Sequence, residues 1–95
     1  MLAKLKVASS TVHGLVFAKS GSFSVAFYYN EEGEPQVTEF EDGEVVQSHG
    51  IDDAAKRAEN TAEKDLWQCY ELVCRQFAHP ALTLAVYRNE AMRKQ

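Results

Sequence analysis

Two short segments near the start of the chain are rich in apolar and β-forming residues. Residues 12–19 (VHGLVFAK) and 22–29 (SFSVAFYY) are dominated by valine and aromatic side chains, and Ser20-Gly21 separates them. Such residues favour strands, and a two-residue connection that contains glycine is typical of a tight β-hairpin. We therefore predict two adjacent antiparallel strands joined by a turn at Ser20-Gly21.

A second hairpin is predicted further along the chain. Residues 36–41 (QVTEFE) and 44–48 (EVVQS) flank Asp42-Gly43, a dipeptide strongly associated with hairpin turns. Residues 30–35 (NEEGEP) have the composition of a loop and connect the two hairpins. The sequence thus predicts an antiparallel β-meander, in which each strand pairs with the one before it.

These turns also predict which side chains share a face of the sheet, because neighbouring positions on a strand alternate between faces. A symmetric 30–35 loop places Phe40 beside Val25. Residues 2–8 (LAKLKVA) would add an edge strand, which gives four to five strands within residues 2–48. The face assigned to the core carries Val12, Val16, Phe23, Val25, Phe27, Tyr29, Phe40 and Val45.

Residues 52–78 are predicted to form one long α-helix. Apolar residues recur in steps of three and four from position 51 to position 77, which is the spacing of one helix face. Asp52 or Asp53 suits the first turn, and His79-Pro80 ends the helix. At 1.5 Å per residue this helix is ~40 Å long, whereas a seven-residue strand spans ~23 Å. Part of the helix is therefore expected to overhang the sheet.

The second half of the predicted helix is apolar on two sides. Trp67, Tyr70 and Cys74 form a stripe beside the one that faces the sheet. A helix with two apolar faces needs two partners. The second partner is either the C-terminal segment, residues 81–95, or a second copy of the protein that makes a homodimer through this stripe.

The expected fold class is α+β. It consists of an antiparallel meander packed on one long helix, in a single domain of residues 1–95. Residues 82–88 (LTLAVYR) are predicted to form a C-terminal strand, and a short helix that starts at Pro80 is the alternative.

Charge is distributed unevenly along the chain. No lysine or arginine lies between Lys19 and Lys56, and nine carboxylates fall in that interval, although the formal net charge of the whole chain is only −4. Fields of one sign steer encounters with partners of opposite charge. We therefore expect a protein partner with a basic surface, such as a groove whose cations normally neutralise nucleic-acid phosphates. Direct binding of nucleic acid is not expected, because this surface has the wrong sign.

The second hairpin and two apolar side chains beside it form the expected contact surface. In the predicted register Glu41 and Glu44 lie opposite each other, which destabilises the hairpin slightly and favours a functional role for the charge. The structural alternative is a solvated hairpin whose acidity serves solubility. The residues expected to bind the partner are Glu39, Glu41, Asp42 and Glu44, with Phe17 and Tyr28 as apolar anchors on the same open face.

The sequence carries no motif that predicts catalysis, a cofactor or a metal ion. Gly-x-Ser-x-Gly, a phosphate-binding glycine loop and an EF-hand loop do not occur in it. Cys69, Cys74 and His79 are spaced by five residues, so a continuous helix does not bring them together on one metal ion. We therefore expect a non-enzymatic binding module, with a metal-dependent hydrolase that uses the carboxylates as a further alternative.

The cysteines and the apolar segments bear on where the protein works. Cys69 and Cys74 would lie ~8–9 Å apart on a helix, beyond the limit of about 7 Å for a disulfide. Reduced thiols fit a cytoplasmic protein, and no apolar run reaches the ~20 residues of a membrane span. Lysines inside the first apolar stretch make a poor secretory signal. We expect a small inhibitor of a host protein, of the kind that phages and other mobile elements encode.

Overall fold

The computed structural model describes residues 13–93, which form four β-strands followed by three α-helices. The described strands make one antiparallel sheet in the order β1-β2-β3-β4, so the α+β class and the meander are confirmed. The additional edge strand predicted at residues 2–8 lies outside the described residues. The elements are β1 (His13–Ser20), β2 (Phe23–Tyr29), β3 (Pro35–Glu41), β4 (Glu44–Gly50), α1 (Ile51–Asn60), α2 (Lys64–Phe77) and α3 (Pro80–Arg93).

The helices cover one face of the sheet in two layers. α1 lies against β3 and β4, α2 lies against β1 and β2, and α3 packs on α1 and α2. The core between the sheet and the first helix layer is apolar, and burial of such surface is the main force that holds the layers together. Its fully buried members include Val25, Phe27, Val37, Leu66 and Val73.

One of the two predicted hairpin turns is confirmed and the other is displaced by one residue. Glu41 pairs with Glu44 across Asp42 and Gly43, whose φ angles of 52° and 82° fit a type I′ turn. In the first hairpin, however, Ser20 already pairs with Phe23. The turn therefore begins at Gly21, whose φ of 59° suits the first position of a type II′ turn.

The predicted register between β2 and β3 is wrong by one residue. Val25 pairs with Glu39 rather than with Phe40, because Pro35 already pairs with Tyr29 and leaves a loop of five residues, not six. The side chain of Asn30 organises this loop by accepting hydrogen bonds from the backbone N–H groups of Glu32 and Glu34, both at 2.9 Å. A shift of one residue moves every side chain of a strand to the other face.

The shift changes the core. Val37 and Glu39 now face the helices, and Phe40 lies on the outer face of the sheet with its ring centroid 6.4 Å from that of Phe17. Val45 pairs with Phe40 and lies on the same outer face. The prediction that Phe40 and Val45 belong to the helix-facing core is therefore wrong, and the predicted Val12 lies outside the described residues. The helix-facing positions of Val16, Phe23, Val25, Phe27 and Tyr29 are confirmed.

The single helix predicted over residues 52–78 is two helices in the structure. α1 ends at Asn60, and Thr61 is extended, with φ of −73° and ψ of 131°. The buried amide of Asn89 donates hydrogen bonds to the carbonyl oxygens of Ala58 at 2.7 Å and Thr61 at 3.4 Å. It thereby supplies a donor to carbonyl groups that the end of α1 leaves without a helical partner. The break lets α2 run back over β1 and β2, which a straight helix would have left uncovered.

The C-terminal segment is a helix, so the predicted strand at residues 82–88 is wrong and its alternative is correct. α3 starts with Pro80, a favoured first residue because it has no N–H to satisfy. The Nδ1 atom of His79 accepts a hydrogen bond from the N–H of Ala81 at 3.2 Å. α3 buries Leu82 and Val86 against the other helices, and it is the second partner that the two-sided α2 needs.

Candidate functional site

Folding divides the acidic stretch between the two ends of the sheet. The turn end is the end at which the two hairpin turns meet, where the N–H of Asp42 donates a hydrogen bond to the carbonyl oxygen of Ser22 at 2.7 Å. The loop end is the opposite one, formed by the β2–β3 loop and the start of α1. The turn end exposes Glu41, Asp42 and Glu44, and the loop end exposes Glu31, Glu32, Glu34, Asp52 and Asp53.

Glu39 belongs to neither end, because it is buried between the sheet and the helices with 2% of its surface exposed. The Nε2 atom of Gln47 donates a hydrogen bond to its Oε1 at 3.0 Å, and the phenol of Tyr70 donates to its Oε2. The Nε2 atom of His49 and the Nε atom of Arg57 lie 3.3 and 3.5 Å from the same Oε2. We call these five residues the Glu39 cluster.

The Glu39 cluster joins the sheet to the first helix layer. Glu39 comes from β3, Gln47 and His49 from β4, Arg57 from α1 and Tyr70 from α2. A buried carboxylate is costly unless it is paired and hydrogen-bonded, and here both oxygens have partners. The cluster therefore makes the mutual position of four elements depend on one charged side chain.

Two titratable groups near Glu39, the phenol of Tyr70 and the thiol of Cys69, are held in their neutral forms. Burial, followed by the charge of Glu39 and its hydrogen bond, raises the pKa of the Tyr70 phenol far above its ordinary value. Burial also raises the pKa of the Cys69 thiol to about 11, and this thiol donates to the carbonyl oxygen of Phe23 at 3.4 Å. A neutral phenol and a neutral thiol are poor nucleophiles and bases. The arrangement links β3, β4, α1 and α2 through one carboxylate.

The structure does not bring the six predicted contact residues onto one face. Phe17, which is 44% exposed, and Tyr28, whose hydroxyl is 3.0 Å from that of Thr38, lie on the outer face. Glu41 is on the helix side, because it pairs with Phe23, which packs against the core. Glu39 is on the helix side too, and the prediction that it lies on an open face is wrong because of the register shift. The exposed carboxylates of the predicted set are Glu41, Asp42 and Glu44.

Only part of the stripe predicted to make a homodimer lies against α3. Tyr70 is fully buried, and the Sγ of Cys74 lies 3.5 Å from the hydroxyl of Thr83 on α3. The guanidinium of Arg93 stacks over the ring of Trp67 at 4.7 Å from its centroid. Tyr70 faces the sheet, where it meets Phe27 and Glu39, whereas Trp67 and Cys74 are half-buried beside α3. The three residues therefore do not form one exposed stripe.

Several polar residues of these sites were missed by the sequence reasoning. Gln47 and His49 alternate along β4 in step with Glu39 on β3, a pattern that becomes visible only when the register is known. Asn89 and Arg93 are one helical turn apart and bonded to each other, with the Nε of Arg93 donating to Oδ1 of Asn89 at 2.8 Å. That spacing is a usable signal once residues 80–93 are recognised as a helix.

The chain matches no protein-family model, and comparisons with curated proteins and with solved structures found no similar protein. Within residues 13–93, no three side chains of histidine, cysteine, aspartate or glutamate are grouped so that they could hold a metal ion. No described helix is long and apolar enough to cross a bilayer.

Proposed function

We propose that this protein is a non-enzymatic binding module that docks on a basic surface of a partner protein through its turn end. The supporting observation is that Glu41, Asp42 and Glu44 are all exposed within one hairpin turn, with Glu41 paired directly against Glu44. Like charges in such a pair destabilise a hairpin, and cations of a partner would remove that cost. The proposed role is that of a small inhibitor or adaptor, of the kind that phages and other mobile elements encode.

A fourth carboxylate supports the turn end as the docking site. The side chain of Asp65, in the first turn of α2, lies so close to Gly21 that a Cβ atom added at that glycine would clash with the carboxylate. Asp65 therefore adds its charge to the same end of the molecule as Glu41 and Asp42. Because exposed charges are screened within about 10 Å at 0.1 M salt, the partner's affinity should fall as ionic strength rises.

Charge reversal at each end of the sheet provides a matched test. Glu41→Lys/Glu44→Lys changes the net charge as much as Glu31→Lys/Glu32→Lys does, but only the first pair alters the turn end. The partner is recovered from the native host with the unaltered chain, and its affinity for each purified variant is measured by calorimetry. We expect the turn-end variant to lose at least about a hundredfold in affinity, as for contacts worth ~3 kcal/mol.

The control variant should lose only the long-range part of the attraction, a few fold at low salt. Thermal melting of both variants verifies that they remain folded. Equal losses at the two ends would contradict docking at the turn end, and unchanged affinity in both would contradict an electrostatic contact altogether.

A second candidate function is a structural homodimer through the outer side of α3. Leu84 and Tyr87 lie one helical turn apart on α3 and are 49% and 69% exposed. Light scattering after size exclusion tests it, with Tyr87→Glu as the disrupting variant and Gln76→Glu, an exposed position on α2, as the control. A wild-type chain that remains monomeric at high concentration rules this candidate out.

A further inference from the structure

β4 lies at one edge of the described sheet. No described strand pairs with β4 on the side away from β3, and none of its seven residues is fully buried, in contrast to four consecutive buried residues in β3. Every second residue of an edge strand directs its N–H and C=O groups away from the sheet. Such a row of groups is a template for pairing with another chain.

β4 carries few of the features with which proteins usually block an edge. Lysine, proline and inward-pointing charges serve this purpose, and β4 (EVVQSHG) contains neither lysine nor proline. Its one irregularity is the register shift opposite Glu39 and Phe40, and from Gln47 to Gly50 the pairing with β3 is regular. Val46, which is 55% exposed, offers an apolar contact in the middle of the strand.

Charge indicates what kind of segment would fit this edge. Glu44 starts the strand, Asp42 precedes it, and Asp52 and Asp53 follow it on the first turn of α1, all of them exposed. The basic residues nearest to β4 in the sequence are Lys56 and Arg57, and Arg57 forms ion pairs with Glu39 and Glu63. An extended segment along β4 would thus meet carboxylates at both of its ends.

We propose that β4 binds an extended basic segment of the partner protein as an added strand. Backbone hydrogen bonds along β4 supply the affinity, as in other cases of strand addition. Lysine or arginine near both ends of the segment pairs with Glu44 and Asp42 at one end and with Asp52 and Asp53 at the other. This inference rests on the proposed function, since it names the form in which the basic partner is recognised.

The test uses a synthetic peptide, acetyl-KKVTVKK-amide, and the full chain labelled with nitrogen-15. Two further peptides carry N-methyl groups on the odd or on the even residues, which removes alternate N–H donors without changing charge. We expect the parent peptide to bind and to slow hydrogen exchange at alternate amides of β4. One methylated peptide should lose at least about tenfold in affinity, and the other should bind within a few fold of the parent.

The outcomes separate this inference from the proposed function. If both methylated peptides bind as well as the parent, docking is electrostatic only, so strand addition is wrong and the proposed function stands. If the outward amides of β4 are already protected in the free protein, the edge is occupied by the chain itself, or by a second copy where the protection depends on concentration. Either result overturns the inference. Failure of the parent peptide to bind at low salt also overturns it, while the turn-end charge variants still test the proposed function independently.

Discussion

Glu39 and Glu41 are two residues apart on the same side of β3, and the structure uses them in opposite ways. Glu39 lies under α1 and α2, where four described side chains surround its carboxylate. Glu41 lies at the turn end, beyond the helices, and is exposed beside Glu44. The difference teaches that a run of like charges in a sequence does not necessarily form one charged surface in the folded protein. Which charge is available to a partner depends on where the helix layer ends.

The largest expected effect on stability comes from substitution of Glu39, the buried residue of the two. Glu39→Ala should lower the free energy of unfolding by about 3–5 kcal/mol, because it breaks the buried pair with Arg57 and leaves the buried hydroxyl of Tyr70 and the amide of Gln47 without their acceptor. Glu41→Ala, the matched control, should change it by less than about 0.5 kcal/mol. Urea denaturation followed by the fluorescence of Trp67 measures both. Similar losses in the two variants would contradict the placement of Glu39.

The hydroxyl of Tyr70 is the next test of the same cluster. Tyr70→Phe removes the donor to Glu39 but keeps the ring that meets Phe27 edge-on at 6.0 Å. We expect a loss of about 1–3 kcal/mol in unfolding free energy, the usual cost when a buried charged group loses a hydrogen bond. Tyr28→Phe, which removes a hydroxyl from the half-buried pair with Thr38, should cost only about 0.5–1.5 kcal/mol. An equal or larger loss in the Tyr28 variant would argue against a special role for the cluster.

Alkaline pH should lower the stability of the protein through two buried groups, the thiol of Cys69 and the phenol of Tyr70. The pKa of Cys69 is raised from 9.0 to about 11, so the unfolded chain loses this proton first and stability falls as the pH rises through that interval. The raised pKa of Tyr70 acts in the same direction above its ordinary value of 10.0. Urea midpoints measured from pH 8 to pH 11 should decrease, and the decrease should be shallower in Cys69→Ala. A midpoint that rises with pH would contradict the burial of both groups.

The smallest expected effect is at the exposed pair. Glu41→Gln removes the repulsion from Glu44 and should raise the free energy of unfolding by up to ~0.5 kcal/mol at low salt. The gain should vanish in 1 M salt, where charges are screened within about 3 Å. Glu31→Gln, in a loop without an opposing strand, is the control. A loss of stability in Glu41→Gln would mean that this carboxylate has a structural partner.

Sequence reasoning found the elements of the sheet and the faces of β1 and β2, but it assigned the faces of β3 and β4 wrongly. Asp42-Gly43 specified its turn correctly, because both residues tolerate positive φ angles. The β2–β3 loop was assigned one residue too many, since composition marks a loop without counting its residues. Asn30 and Pro35 indicate the true length of the loop, because an asparagine side chain can organise a short loop and a proline can be the first residue of a strand. This error of one residue placed Phe40 on the helix-facing side of β3 and Glu39 on the outer side, the reverse of their positions in the structure.

The helical half shows the limit of periodicity. The three-and-four spacing continues unbroken through residues 60–64, so it predicts one helix where the chain makes two. What ends α1 is a tertiary contact, the buried amide of Asn89 on the carbonyl oxygens of Ala58 and Thr61. The sequence around the end of α1 contains no pattern that predicts a hydrogen bond from Asn89, which lies nearly thirty residues away. The same contact holds α3 against α1.

Hydrogen–deuterium exchange on the full chain bound to its recovered partner tests the central claim most directly, because it locates the contact in a single experiment. If the turn end and the adjoining strand dock on the partner, exchange slows across residues 41–50, while residues 30–34 and the outer side of α3 exchange as in the free protein. Slowing confined to the loop end or to α3, with residues 41–50 unchanged, would contradict this account.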